Sequence, residues 1–225
     1  VFFDFDGPIC PLFIGRRELT DGAAHHIKTL LWQAGLGVPG LEESQDPHHV
    51  LRVAGKTVAE LGLPEALRVA ERHLAEVEAK AAERAGAPTP HVADLLDHLR
   101  GQDVWLAVTS NNDAEAIRSY LKRTDLEPYF DERIFGRHSH PARMKPHPHC
   151  LQEAVRESGR EPDECLLLGD SVSDGKAAAK LGVAFVGYAN RPEKQAPLRD
   201  AGALAVVDDL RDLLLLLRPK DVTNT

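Results

Sequence analysis

A chain of 225 residues, 43% hydrophobic and 28% charged, has an ordinary globular composition and is long enough for one large domain or two small ones. The net charge of −8 argues against a broad nucleic-acid or anionic-membrane surface, yet a local metal ion or lysine could still draw an anion into one cleft. Cys10, Cys150 and Cys165 lack metal-ligand spacing, no apolar run approaches membrane-spanning length and no signal peptide is visible, so reduced, buried thiols in a cytoplasmic protein are expected.

The first element is the apolar run Val1-Phe2-Phe3, a short strand leading into Asp4-Phe5-Asp6-Gly7. It opens without an initiator Met, so residues upstream of Val1 are expected. From residue 17 to about 85 only helical periodicity occurs. Leu19, Ala23, Ile27, Leu30, Leu31 and Ala34 follow one helical face. A Gly/Pro-rich connection at 35–47 precedes a second predicted helix, from 48 to about 61. A third begins near Pro64, with Leu67, Ala70, Leu74, Val77 and Ala81 stepping by three and four. Gly86-Ala87-Pro88-Thr89-Pro90 reads as a hinge.

Helices and strands then alternate. Val92, Leu95, Leu96 and Leu99 form a helix face closed by Gly101, and Val104-Trp105-Leu106-Ala107-Val108 is an apolar strand. A helix at 113–122, a short strand near Ile134, a helix at 148–158 and the strand Cys165-Leu166-Leu167-Leu168 follow. A helix at 175–181 leads to Val183-Ala184-Phe185-Val186, with Ala205-Val206-Val207 a weaker last strand and 213–217 a buried helix end. Apolar strands alternating with amphipathic helices indicate a parallel sheet covered on both faces.

Three strands end in polar residues: Asp4, then Thr109-Ser110-Asn111-Asn112, then Gly169-Asp170-Ser171. In a parallel sheet these ends share one edge, where ligands bind in open α/β folds. One isolated Asp-Gly is ordinary turn chemistry; three such ends converging are a site.

With Asp4-Phe5-Asp6-Gly7, Ser110 with Asn111, Lys145 of Lys145-Pro146-His147-Pro148, and Gly169-Asp170-Ser171-Val172-Ser173-Asp174 in order, the chain resembles the haloacid dehalogenase-like hydrolase superfamily along essentially its whole length. The resemblance is to its phosphatases with a helical cap inserted after the first motif, the phosphoglycolate phosphatase type. It implies an α/β fold class: a Rossmann-like parallel-sheet core with helices on both faces, formed by residues 1–15 and 88–225, plus an all-helical cap at 16–87. Pro8 departs from the Thr or Val common after the first-motif glycine, and proline cannot donate a backbone hydrogen bond there.

The chemistry follows from the residue types. A carboxylate attacking a phosphate monoester is repelled unless a divalent cation bridges the two. Mg²⁺ is the expected cofactor, with Asp4 and Asp170 as carboxylate ligands, Asp6 through its backbone carbonyl, and Asp174 as a ligand or water-orienting group. Asp174 could equally cap the helix beside it. Asp4 is the expected nucleophile and Asp6 the acid, then base. Ser110 and Asn111 would hold phosphate oxygens, and Lys145 would balance charge on Asp4 and the phosphoryl group. Thr109 is the lesser candidate hydroxyl, because alternation along a strand sends it to the other side from Ser110.

The expected reaction is Mg-dependent hydrolysis of a small phosphorylated metabolite, of phosphoglycolate or sugar-phosphate type, by a monomer or homodimer that binds neither nucleic acid nor membrane. A phosphomutase uses the same motifs and remains the alternative. A dehalogenase or phosphonate-cleaving enzyme fits less well, because Asp6 supplies a proton that a halide does not need. His138, His140, His147 and His149 are read as exposed loop residues rather than a zinc site, and His25, His26, His48 and His49 as surface helix positions. Arg52 and Lys56 are the first cap residues to test for substrate contact.

Overall fold

The computed structural model describes residues 1–37, 40–61, 64–137 and 141–217. Six parallel strands form one sheet: β1 (Phe2–Phe3), β2 (Ala107–Thr109), β3 (Ile134–Phe135), β4 (Leu166–Gly169), β5 (Ala184–Tyr188) and β6 (Ala205–Val207). Their spatial order is β3-β2-β1-β4-β5-β6, so the chain reverses its direction of winding between β1 and β4. That reversal opens the crevice in which α/β sheets bind ligands.

Alternation along the strands builds a core on each face. Phe3, Val108, Leu168 and Val186 point to one side, against α4 (Val92–Gly101), α5 (Ala114–Arg123) and α10 (Leu210–Leu217). Phe2, Ala107, Leu167 and Phe185 point to the other, against α7 (His149–Ser158), α8 (Val172–Leu181) and α9 (Gln195–Asp200). Between β1 and α4 lie α1 (Arg17–Gln33), α2 (Pro47–Leu61) and α3 (Pro64–Arg84). Ile27, Leu31, Val50, Leu51, Ala70 and Leu74 close a separate apolar cluster there, joined by Met144.

Helix α3 belongs to both clusters. Its Ala70 and Leu74 pack with α1 and α2, whereas Ala81 and Ala82 pack in the sheet core. The carbonyls at its end accept from arginines: Arg16 reaches Ala81 and Arg84, and Arg123 reaches Ala82 and Ala85.

Some elements depart from the expected boundaries for local reasons. Helix α8 starts at Val172 rather than 175, because Ser171 and Asp174 form a capping box at its entry. The single-turn α6 (Glu127–Phe130) and the short α9 are too brief to show periodicity. The expected buried helix end at 213–217 is amphipathic: Leu213 is buried while Leu215 is 62% exposed. The three cysteines are free and buried, and no described helix is long and apolar enough to cross a membrane.

Candidate active site

Beyond β1 the chain turns sharply. Gly7 N–H donates to the Cys10 carbonyl at 2.8 Å, and the Phe5 carbonyl accepts from Ile9 at 3.3 Å and Cys10 at 2.9 Å. None of these bonds involves an amide at position 8, so Pro8 leaves the turn intact. Thr89, on the returning connection, clamps the turn: its hydroxyl donates to the Gly7 carbonyl at 2.6 Å and its N–H to the Ile9 carbonyl at 2.9 Å.

The expected carboxylates meet at the end of β1 and β4. Oxygens of Asp4, Asp170 and Asp174 lie within 4.8 Å of one another. Asp4 Oδ1 accepts from the Phe5 N–H at 2.8 Å and lies 3.0 Å from Lys145 Nζ. Asp6 Oδ1 accepts from the Leu12 N–H at 2.9 Å.

Lys145 is buried in this cluster. Its ammonium donates to the Thr109 carbonyl at 2.9 Å and to Asp174 Oδ1 at 2.5 Å, with Asp4 Oδ1 as the third partner. An ammonium has three N–H donors, of which two are hydrogen-bonded here while Asp4 pairs with the charge. The other oxygen of Asp174 accepts from the Ser171 N–H at 3.0 Å and its hydroxyl at 2.7 Å. Asp174 therefore holds the lysine and caps α8, with neither oxygen left idle.

At the second strand end it is Asn111 that departs from expectation. Ser110 lines a cavity with Asp4, Asp6 and Lys145, while Thr109 supplies its carbonyl and has a buried hydroxyl oxygen without a partner among the described residues. The Asn111 side chain brackets the Lys145 backbone, donating to its carbonyl at 3.2 Å and accepting from its N–H at 2.7 Å. Asn111 thus positions Lys145 with its side chain and has only its main chain to offer a ligand.

Electrostatics match a site that needs cations. Burial, reinforced by Asp174, raises Asp4 above the ordinary carboxylate range against the pull of Lys145. Burial and the Asp4 charge push Asp6 up to about 6. Burial drives Asp170 up to about 8, with Asp6 and Asp4 adding to it and Lys194 opposing. Burial alone would lower the Lys145 ammonium, but Asp174 and Asp4 outweigh it and hold it above its usual value. Two like charges about 4 Å apart repel by about 4 kcal/mol at a protein's effective dielectric, so a divalent cation here would relieve a real cost.

The donor set fits Mg²⁺, a hard cation that takes carboxylate and carbonyl oxygens. Asp4 and Asp170 are the carboxylates to hold it, and the Asp6 carbonyl accepts no backbone hydrogen bond among the described residues. Asp170 already attracts a cation, since Lys194 forms an ion pair with it. Asp174, with both oxygens taken, fits the positioning role better than that of a ligand.

Several site residues were not foreseen. Lys194 and Asn190 follow β5, a fourth strand end on the same edge, and the shared-edge rule could have found them. Glu78 on α3 is fully buried and gathers His48, Arg137, Asn112 and the Asp113 N–H, for which no sequence signal exists. His48 is not a surface helix position: its Nε2 lies 2.7 Å from Glu78 Oε1 and its ring lines the cavity with Asp4, Ser110 and Lys145. Arg52 bonds His49 instead, and neither Arg52 nor Lys56 lines that cavity. His26 stacks on His73, with ring centroids 4.0 Å apart. His138 and His140 lie outside the described residues. Among the described residues, no group of histidines gathers at metal-binding distance.

The family model of haloacid dehalogenase-like hydrolases matches residues 1–182. The chain belongs to that family. It is 32% identical over 128 residues to a phosphoglycolate phosphatase of Haemophilus influenzae, covering 57% of this chain and 56% of that one. The matched segment thus spans just over half of that relative. A phosphoglycolate phosphatase of Salmonella typhi is 27% identical over 203 residues, covering 83% of this chain and 79% of the other. A hydrolase from Pseudomonas syringae shares the fold at a TM-score of 0.68 and 19% identity, covering 97% of this chain and 98% of that chain.

Proposed function

We propose that this chain hydrolyses a small phosphate monoester through an aspartyl-phosphate on Asp4, with Mg²⁺ as cofactor. The observation that carries the reading is the pairing of two carboxyls on one turn in different states of readiness. Asp4 is held by Phe5 and Lys145 through Oδ1, leaving Oδ2 to attack. Asp6, pushed up to about 6, is a carboxyl able to exchange a proton near neutrality.

In this cycle Asp4 Oδ2 forms a bond to phosphorus as the bond to the leaving oxygen breaks, and Asp6 gives its proton to that oxygen. Asp6 then takes a proton from water, whose oxygen attacks phosphorus and frees Asp4 and inorganic phosphate. A metal ion held by Asp4 and Asp170 would neutralise charge shared by nucleophile and phosphoryl group. Lys145 keeps Asp4 and Asp174 in place, and the Ser110 hydroxyl, which rests on Asn112 Oδ1, would turn from it to donate to a phosphoryl oxygen.

The space for the leaving group supports the phosphoglycolate type. A cavity of about 540 Å³ beside Asp6 and Asp170 is lined by Arg17, Asn190, Arg191 and Lys194. Three cationic side chains next to the proposed acid favour a leaving group that carries its own negative charge. Helices α1–α3 act as a cap, which contributes Arg17 and Thr20 of α1 here. A panel of phosphate monoesters assayed with Mg²⁺ for phosphate release tests the reading. Release from a carboxylate-bearing ester is expected. Transfer of phosphate within a sugar without release would make the protein a mutase, and inert esters would remove the phosphatase reading.

A further inference from the structure

We propose that His48 is a phosphoryl-oxygen donor supplied by α2 and positioned by the buried carboxylate of Glu78. This assignment rests on the phosphate-ester reading above and adds a residue to it. The need for such a donor comes from Lys145. Two of its N–H groups are taken by Thr109 and Asp174, and the ammonium also lies 3.0 Å from Asp4 Oδ1, so at most one hydrogen is left for a phosphate and the nucleophile competes for it. Asn111 likewise commits its side chain to the Lys145 backbone. The cavity of about 160 Å³ is bounded by Asp4, Asp6, Ser110, Lys145 and Asp170, with Ser171 and Ser173 also lining it, and the Ser171 hydroxyl is donated to Asp174.

His48 lines that same cavity. Its Nε2 is fixed on Glu78 Oε1 at 2.7 Å. Its Nδ1 lies 3.9 Å from Asp46 Oδ1, beyond hydrogen-bond reach, and is the ring's remaining nitrogen. Asp46 itself is occupied in capping α2, accepting from the His48 and His49 N–H groups at 2.9 and 3.1 Å. Burial and Arg137 oppose a charge on this ring, but Glu78 and Asp46 outweigh them and raise the imidazole above its usual value; in the imidazolium form both ring nitrogens donate.

Glu78 also links this donor to the loop that follows β2. Its carboxylate accepts from both Arg137 terminal nitrogens at 2.8 Å, from Asn112 Nδ2 at 3.2 Å and from the Asp113 N–H at 3.0 Å. Asn112 Oδ1 in turn accepts the Ser110 hydroxyl at 3.0 Å. One fixed anion therefore sets the positions of Ser110 and His48, which approach the cavity from the core and from α2. Gly55 allows α2 to come this close, since a Cβ there would lie 2.9 Å from the Ala142 nitrogen.

The test measures inorganic phosphate binding by calorimetry in the presence of Mg²⁺, alongside steady-state kinetics, for the wild type, His48→Gln and Glu78→Gln. His48→Gln should weaken phosphate binding and raise KM for every ester by the same factor, about ten- to a hundred-fold, the range for a charge-assisted hydrogen bond. Its melting temperature should fall only modestly, since Arg137 keeps its paired contact with Glu78. In ¹⁵N-histidine spectra, phosphate should shift the His48 Nδ1 signal in the wild type. Glu78→Gln should diminish that shift, whereas loss of packing alone would leave it unchanged. Phosphate binding equal to wild type in His48→Gln overturns the proposal, as does a KM rise limited to bulky esters. Phosphate binding that depends on His48 in a protein that hydrolyses no ester would keep the His48 site and remove the phosphatase reading. A wild type that binds no phosphate removes both.

Discussion

Gly7 lies flat against the carboxyl of Asp170: a β-carbon at position 7 would stand 2.6 Å from both Asp170 Cγ and Oδ2. The first-motif turn and the loop after β4 are packed together through this contact. Gly169 repeats the device, since a β-carbon there would lie 2.6 Å from Asp174 Cγ. Each glycine makes room for an acid of the cluster, and Gly7 in addition adopts a φ of 107° that L side chains rarely tolerate.

Gly7→Ala should therefore weaken Mg²⁺ binding at least ten-fold by displacing Asp170, and cost about 1–3 kcal/mol of stability through backbone strain. Calorimetric titration with Mg²⁺ and urea denaturation measure the two effects separately. Unchanged Mg²⁺ affinity would mean that Asp170 is not a ligand.

Metal removal should abolish turnover. With EDTA the acid cluster keeps its repulsion and Asp4 cannot approach an anionic phosphoryl group; added Mg²⁺ should restore the rate. Full activity in metal-stripped protein would rule out metal assistance.

Substitutions in the first motif should separate the two acids. Asp4→Asn should eliminate turnover, because an amide is a poor nucleophile. Asp6→Asn should slow alkyl esters by ~10²–10⁴-fold, the usual worth of general acid–base catalysis, and p-nitrophenyl phosphate less. Rapid-quench measurement of the first turnover reads the acid step apart from hydrolysis of the intermediate. Equal first-turnover losses for both leaving groups would exclude Asp6 as the acid.

Arg17→Ala combined with Arg191→Ala should raise KM several-fold for an ester whose leaving group bears a carboxylate and leave p-nitrophenyl phosphate nearly unchanged. Both side chains are largely exposed, at 80% and 62%, so screening keeps the effect modest. A uniform change across substrates would place the selectivity elsewhere.

Glu78 makes folding sensitive to acid. Burial alone would raise its carboxyl, but Arg137 and then His48 reverse this and hold it at about 2, against an ordinary value of 4.5. A depressed carboxylate stabilises the fold above its unfolded-state value, and that share is lost as pH falls from about 4.5 toward 2. It amounts to roughly 3 kcal/mol. Glu78→Gln should lower stability at neutral pH and flatten the fall in stability between about pH 5 and 3, read by urea denaturation. Identical slopes would place the acid sensitivity in other carboxylates.

The order of the elements was legible because it depends on local patterns. Apolar strands alternating with three- and four-residue periodicity specify a parallel α/β sheet, and the polar strand ends Asp4, Ser110 and Asp170 follow from chain direction alone. The single-turn helix α6 escaped because four residues carry no period.

Which atoms of the site remain available was decided only by the tertiary structure. Sequence placed Lys145 and Asn111 near the phosphoryl group. Packing then gave the ammonium two acceptors and an ion pair with Asp4, and turned the Asn111 amide onto the lysine backbone. Asp174 had two roles open to it in the sequence, and contacts on both oxygens favour the structural one. His48 and Glu78 lie thirty positions apart on different helices, so nothing local distinguishes them from solvated charges. Burial makes the difference: a carboxylate removed from water must collect donors, and those around Glu78 came from three separate segments of the chain.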